Sequence, residues 1–146
     1  MRIVAAGDCL FSSRNLAERL DPKIVSEFKN ADAAAANAEF TCPNLENTAP
    51  AAGRGYITSV REDTLDEFND LNIKLVNFAN NHTGDFGIGG MTNTIDASRK
   101  RGLIPTGVGR SLDEARLPRF VDTPNGRFGI VSVSYTHLTL PTILLV

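Results

Sequence analysis

The stretch Ile73-Lys74-Leu75-Val76-Asn77-Phe78-Ala79-Asn80-Asn81-His82 carries an apolar run straight into three polar residues. Residues 73–78 read as a strand of the fully buried kind, because Ile73, Leu75, Val76 and Phe78 do not keep a strict apolar–polar alternation. Such strands belong to parallel sheets covered on both faces. The strand stops on Asn80-Asn81-His82 and so delivers amides and an imidazole to the loop at its carboxyl end. In a parallel α/β sheet, ligands bind beyond the carboxyl ends of the strands. This segment therefore predicts both an architecture and a place to look for chemistry.

The pattern recurs outward in both directions. Upstream, residues 3–6 are a short apolar run ending in Gly7-Asp8, a strand that delivers Asp8. Asp21-Pro22 is an N-cap followed by proline at the first helical position, and Ile24, Val25 and Phe28 then share one helical face. Residues 33–36 are four alanines. Helix propensity competes there, but the short run after Asn30-Ala31-Asp32 is read as a small buried strand leading to Glu39. Residues 41–59, with little periodicity, form a long loop. Leu65, Phe68 and Leu71 have helical spacing.

Downstream, residues 89–101 form a helix that ends on Arg99-Lys100-Arg101 and is stopped by Gly102. Cations there suit the helix dipole. Ile104-Pro105-Thr106 begins a strand. Ser111-Leu112-Asp113-Glu114 is a capping box opening a helix that Pro118 limits. Segments 119–122 and 127–132 flank Pro124-Asn125-Gly126, the strongest hairpin signal in the chain. Alternation of strands and helices predicts one α/β domain with a mostly parallel sheet and a C-terminal hairpin.

Composition bounds the function. The chain has 146 residues, 42% hydrophobic and 22% charged, which excludes wholesale disorder. Net charge is −2 with no basic stripe, so no nucleic-acid partner is expected. Cys9 and Cys42 cannot make a disulfide scaffold; one bridge between them stays open, and a reduced pair is the preferred reading. No apolar run approaches the roughly 20 residues that span a bilayer. The apolar part of the N-terminus is too short for a signal peptide, which makes the cytoplasm the default location. The block 133–142 looks like the translation of a sequencing-library adapter. Residues 133–146 are accordingly read as a non-native tail and 1–132 as the credible domain. His137 falls in that tail, which leaves His82.

Asp8, Glu39, Asn81 and His82 stand at strand ends. Carboxylate and amide oxygens suit Mg²⁺ or Mn²⁺, and an imidazole suits Mn²⁺, Zn²⁺ or Fe. A divalent metal so held would lower the pKa of bound water, and an imidazole beside it would serve as a general acid. Plainer readings stand next to these: Asp8 as a turn cap, Glu39 as a solvated loop acid, Asn80 and Asn81 as turn formers, His82 as a structural histidine, and Cys9 as a small core residue rather than a soft ligand. Gly107-Val108-Gly109 lacks the third glycine of a dinucleotide fingerprint. The glycines from Gly84 to Gly90 lack the Lys-Ser/Thr of a phosphate-binding loop.

Taken in order, Gly7-Asp8, Asn37-Ala38-Glu39, Ala79-Asn80-Asn81-His82 with Asp85 and Gly87, and Gly107-Val108-Gly109-Arg110 with Glu114-Ala115 and Pro118 resemble the CapA family. These are capsule and poly-γ-glutamate synthesis proteins whose fold is similar to the calcineurin-like metallophosphoesterases. The resemblance implies a bacterial protein with part of an αββα sandwich. Asp8 and Glu39 would be metal carboxylates, Asn81 the amide ligand and His82 the catalytic acid, with Asn80 and Asp85 supporting them. An anionic polymer or phosphoester substrate and capsule synthase partners are implied too, and the family is often membrane-associated or exported.

The sequence departs from the pattern in Leu10, which stands where the phosphoesterases have a histidine, and in Ala38, where a larger apolar residue is usual. The family's later histidine motifs, an H-x-G and a G-H-x-H that would lie beyond Ser132, are missing. The expectation is an N-terminal part of a longer domain with an incomplete metal site, inactive by itself. The rivals are a non-catalytic module that binds the polymer or a synthase, and a general metallophosphoesterase.

Overall fold

Four parallel strands lie in the order β1-β2-β3-β4: Ile3–Cys9, Ala33–Ala38, Leu75–Asn77 and Ile104–Thr106. The computed structural model describes residues 1–11, 13–52 and 55–134. Of the segment 133–146, residues 135–146 lie outside the described residues, and His137 with them.

The polyalanine run is a strand, against its own helix propensity. Flanked by β1 and β3 and covered on both faces, it gains two ladders of hydrogen bonds that an isolated helix would not. Its small side chains let large neighbours close in. Ala34, Ala36 and Ala38 face a core with Phe28, Phe40, Leu65, Phe68, Val76, Phe78 and Ile95. That core is roofed by α1 (Leu16–Arg19), α2 (Pro22–Lys29), α3 (Asp66–Asp70) and α4 (Gly87–Lys100). Phe11 joins it through the rings of Phe40 and Phe68, at centroid distances of 5.5 and 4.7 Å. The remaining helix, α5, is Leu112–Arg116.

Local signals account for most boundaries. The Asp21 carboxylate caps α2 by accepting from the Lys23 amide at 2.8 Å. Gly102 ends α4 with φ +71°, as its position predicts. Segment 64–71 is a 3-10 turn, Glu62–Leu65, followed by the short α3, and α4 starts two residues earlier than its spacing suggests. The hairpin pairs β5 (Arg119–Thr123) with β6 (Gly126–Ile130) around Pro124-Asn125. It forms its own sheet beside β3 and β4 rather than lengthening the parallel one. Asn125 ties it to the start of β2 through Asp32 at 2.7 Å. The result is α/β with a parallel sheet and a C-terminal hairpin, in agreement with part of the expected sandwich.

One irregularity positions the site. β1 was expected to end at Ala6; it continues through Cys9. Ala5 pairs with Ala35, but Asp8 pairs with Asn37, so three steps along β1 match two along β2. The burial pattern breaks at the same place. Ile3, Ala5 and Gly7 are exposed and Val4 and Ala6 half-buried, and then Asp8 is exposed where alternation would turn it inward. The extra residue swaps the face that Asp8 presents.

Candidate functional site

The register places four polar residues in one rung across the carboxyl ends of the sheet. Asp8 is beside Asn37, Asn37 beside Asn77, and Asn77 beside Thr106. Asn37 is the hub. Its Nδ2 donates to Asp8 Oδ1 and to Glu39 Oε1, both at 2.7 Å. Its Oδ1 accepts from Asn77 Nδ2 at 2.6 Å and from Asn80 Nδ2 at 3.1 Å. An asparagine amide offers two donors and two acceptor positions, and here all four are used. Two carboxylates, one near the end of β1 and one just past β2, are thereby drawn to one neutral group.

His82 closes the other side. Its Nδ1 is 2.7 Å from Asp85 Oδ2, and its Nε2 is 3.8 Å from Glu39 Oε2. A carboxylate at Nδ1 places a proton on that nitrogen and turns Nε2 toward Glu39. Asp85 is fully buried. The same Oδ2 accepts the Thr58 amide at 2.7 Å, and its backbone oxygen accepts the Ala51 amide at 2.8 Å. The Thr58 hydroxyl then donates to the Glu39 carbonyl at 2.7 Å. The long loop is therefore stitched to both Glu39 and the residue that orients His82. Tyr56, on that loop, sets its ring edgewise to the imidazole at 6.1 Å.

Asn80 is pinned twice. Its Oδ1 accepts the His82 amide at 3.0 Å, and its Nδ2 also donates to the Ala38 carbonyl at 2.7 Å. Asn81 lies in the same turn and is exposed. Cys9 packs against the core, and burial, helped by the Asp8 charge, pushes its thiol up to about 11. It stays protonated at neutral pH and behaves as a core residue. Both Cys9 and Cys42 are free thiols.

The loop after β1 is held from below. Buried Glu67 accepts from the Asn15 and Leu16 amides at 2.8 Å each and from Arg14 Nε at 3.0 Å. Burial alone would raise its carboxyl. The two amides and the guanidinium outweigh that and hold it below the usual glutamate range.

The structure thus brings Asp8, Glu39, Asn80, His82 and Asp85 together, with Asn81 in the adjoining turn. Asn37, quoted above only as part of a motif, Asn77 and Thr58 were not anticipated as members. Asn77 carried a signal: an amide inside an otherwise apolar buried run must find partners. Thr58 carried none, since nothing local distinguishes it in its loop.

Among the described residues, no three His, Cys, Asp or Glu side chains converge as a cage for a metal ion. The fit to a divalent cation is partial. Two carboxylates gathered at one point and an imidazole facing one of them are donors of the right chemistry, and they do not close a coordination shell.

Comparison with known proteins gives the family. The chain is 32% identical over 146 aligned residues to the uncharacterized protein y4sH of Sinorhizobium fredii, covering 94% of this chain and 31% of that protein. A second S. fredii protein, y4uA, matches with the same identity and coverage. The PGA biosynthesis protein CapA of Bacillus subtilis is 30% identical over 112 residues, covering 77% of this chain and 29% of that protein. The chain therefore spans about a third of the length of these relatives. The model of the bacterial capsule synthesis protein family, PGA_cap, matches residues 2–142, and the chain belongs to that family.

Proposed function

We propose that the full-length protein acts in bacterial capsule or poly-γ-glutamate synthesis as a metal-dependent, hydrolase-like enzyme on a phosphoester or on the anionic polymer. One observation carries this reading: Asp8 and Glu39 share the Asn37 amide, with the Asp85-oriented His82 facing Glu39, at the carboxyl ends of adjacent parallel strands. Asp8, Glu39 and Asn81 would hold a divalent ion, which when bound supplies a polarised oxygen and a more acidic water. Asp85 engages His82 Nδ1, so Nε2 is the ring nitrogen left to pass a proton to a leaving group. Tyr56 and the loop anchored by Thr58 wall the imidazole on one side.

The chain by itself is expected to be inactive, because its donors form only part of a metal shell. Stoichiometric metal with phosphodiesterase turnover in the 146-residue chain would overturn that. For the whole protein, Asp8→Ala and His82→Ala in the full-length form should each abolish capsule output while leaving the protein folded. If output survives both, a non-catalytic module that binds the polymer or a synthase partner replaces the enzyme. Activity on phosphoesters without any effect on capsule would instead favour a general metallophosphoesterase.

A further inference from the structure

We infer that Asn37 is a positioning residue whose polarised amide draws the Asp8 and Glu39 carboxylates together and so pre-forms the seat on which the proposed function rests. The argument begins at two backbone donors. The Ala79 amide donates to Asn77 Oδ1 at 3.0 Å, which turns the Asn77 NH₂ toward Asn37. The His82 amide donates to Asn80 Oδ1 at 3.0 Å, which turns the Asn80 NH₂ the same way. A backbone N–H cannot reverse its role, so both side-chain amides have one permitted orientation.

Asn37 Oδ1 consequently meets two donors, and its NH₂ must face the carboxylates. The flipped amide would set an oxygen against two carboxylate oxygens and an NH₂ against two NH₂ groups. Every link therefore points the same way, from backbone amide to carboxylate, and aligned hydrogen bonds strengthen one another. Two like charges brought close repel. Here each gives one oxygen to the same donor, while Glu39 keeps Oε2 turned to His82. The donor that the two carboxylates share is a neutral amide.

The test uses the 146-residue chain labelled with ¹⁵N. The side-chain NH₂ signal of Asn37, assigned by its loss in Asn37→Ser, should lie downfield of the other asparagine side chains. Asp8→Asn and Asn77→Ala should each move it back upfield. A signal in the ordinary range that ignores Asp8→Asn overturns the inference. Mn²⁺ alone is then titrated. Asn37→Ser should weaken its binding about tenfold, and Asn77→Ala by less, as expected for groups that orient ligands rather than bind the ion. Undiminished Mn²⁺ affinity in Asn37→Ser also overturns the inference. If that variant does not fold, the signal is assigned through the Asn37 backbone resonances and Asn77→Ala carries both readouts. An NH₂ signal that behaves as expected in a chain taking up no Mn²⁺ supports Asn37 as the clamp, and the Mn²⁺ comparison of Asn37→Ser with wild type is then read in the full-length protein.

Discussion

The two faces of β2 obey different rules. On one, Ala34, Ala36 and Ala38 present methyl groups to a shell of phenylalanine, leucine and isoleucine side chains. On the other, Ala33 and Ala35 lead to Asn37, whose amide has every valence engaged. Apolar packing is non-directional and fails by degrees as volume is lost. A hydrogen-bonded polar set is directional and fails by orphaning a partner. One strand can serve both because its side chains alternate, so the stability of the layer beneath and the geometry of the rung above are set by different residues.

That separation can be tested from the strongest effect downward. Phe68 is fully buried against Phe11 and Phe40. Phe68→Ala should cost about 3–5 kcal/mol in denaturant unfolding. A loss below about 1 kcal/mol would mean that the apolar face is not the main source of stability.

Asp85 sharpens the other side. Asp85→Ala strips the acceptor from the Thr58 amide and from His82 Nδ1, and should cost about 1–3 kcal/mol. It should also release the loop, read as faster hydrogen exchange at Thr58 and Ala51. Unchanged exchange there would show that the polar set does not hold the loop.

Glu67 joins the two regions, since it fastens the segment after Asp8 to α3. Its folded pKa lies below its unfolded one. Its contribution is therefore present above the unfolded value and is lost as pH falls through the folded one. Wild type should lose stability more steeply than Glu67→Gln below about pH 4.3. Parallel pH curves would break the link between loop and core. This is the smallest of the three effects.

How much of this was legible in the sequence follows the same division. The layer beneath was readable because it is local. Residues 73–78 announce a buried strand, Leu65, Phe68 and Leu71 keep helical spacing, and Asp21-Pro22 and Gly102 mark helix ends by their own chemistry. Asp8, Glu39 and His82 were readable as strand-end residues. The rung was not, because it depends on register between strands some 30 to 40 positions apart in the chain. Asp8 shows why. Alternation from Ile3 sends it to the core face, and only the irregularity before it turns it toward Asn37. Nothing in Ala6-Gly7 demands that shift. Thr58 escaped for a similar reason, being chosen by where a long loop lands.

Ser132 has a practical bearing. Its hydroxyl pairs with Thr106 at 2.8 Å, and its Cβ closes on the space that a side chain at Gly107 would need, 2.6 Å from where that Cβ would stand. The backbone is thereby moored at the edge of the sheet that carries Asp8 and Asn37. A fluorophore or spin label installed just after Ser132 starts from that edge, not from the helical side. It would report on motion of that edge, and for the same reason it is a poor place for an affinity tag.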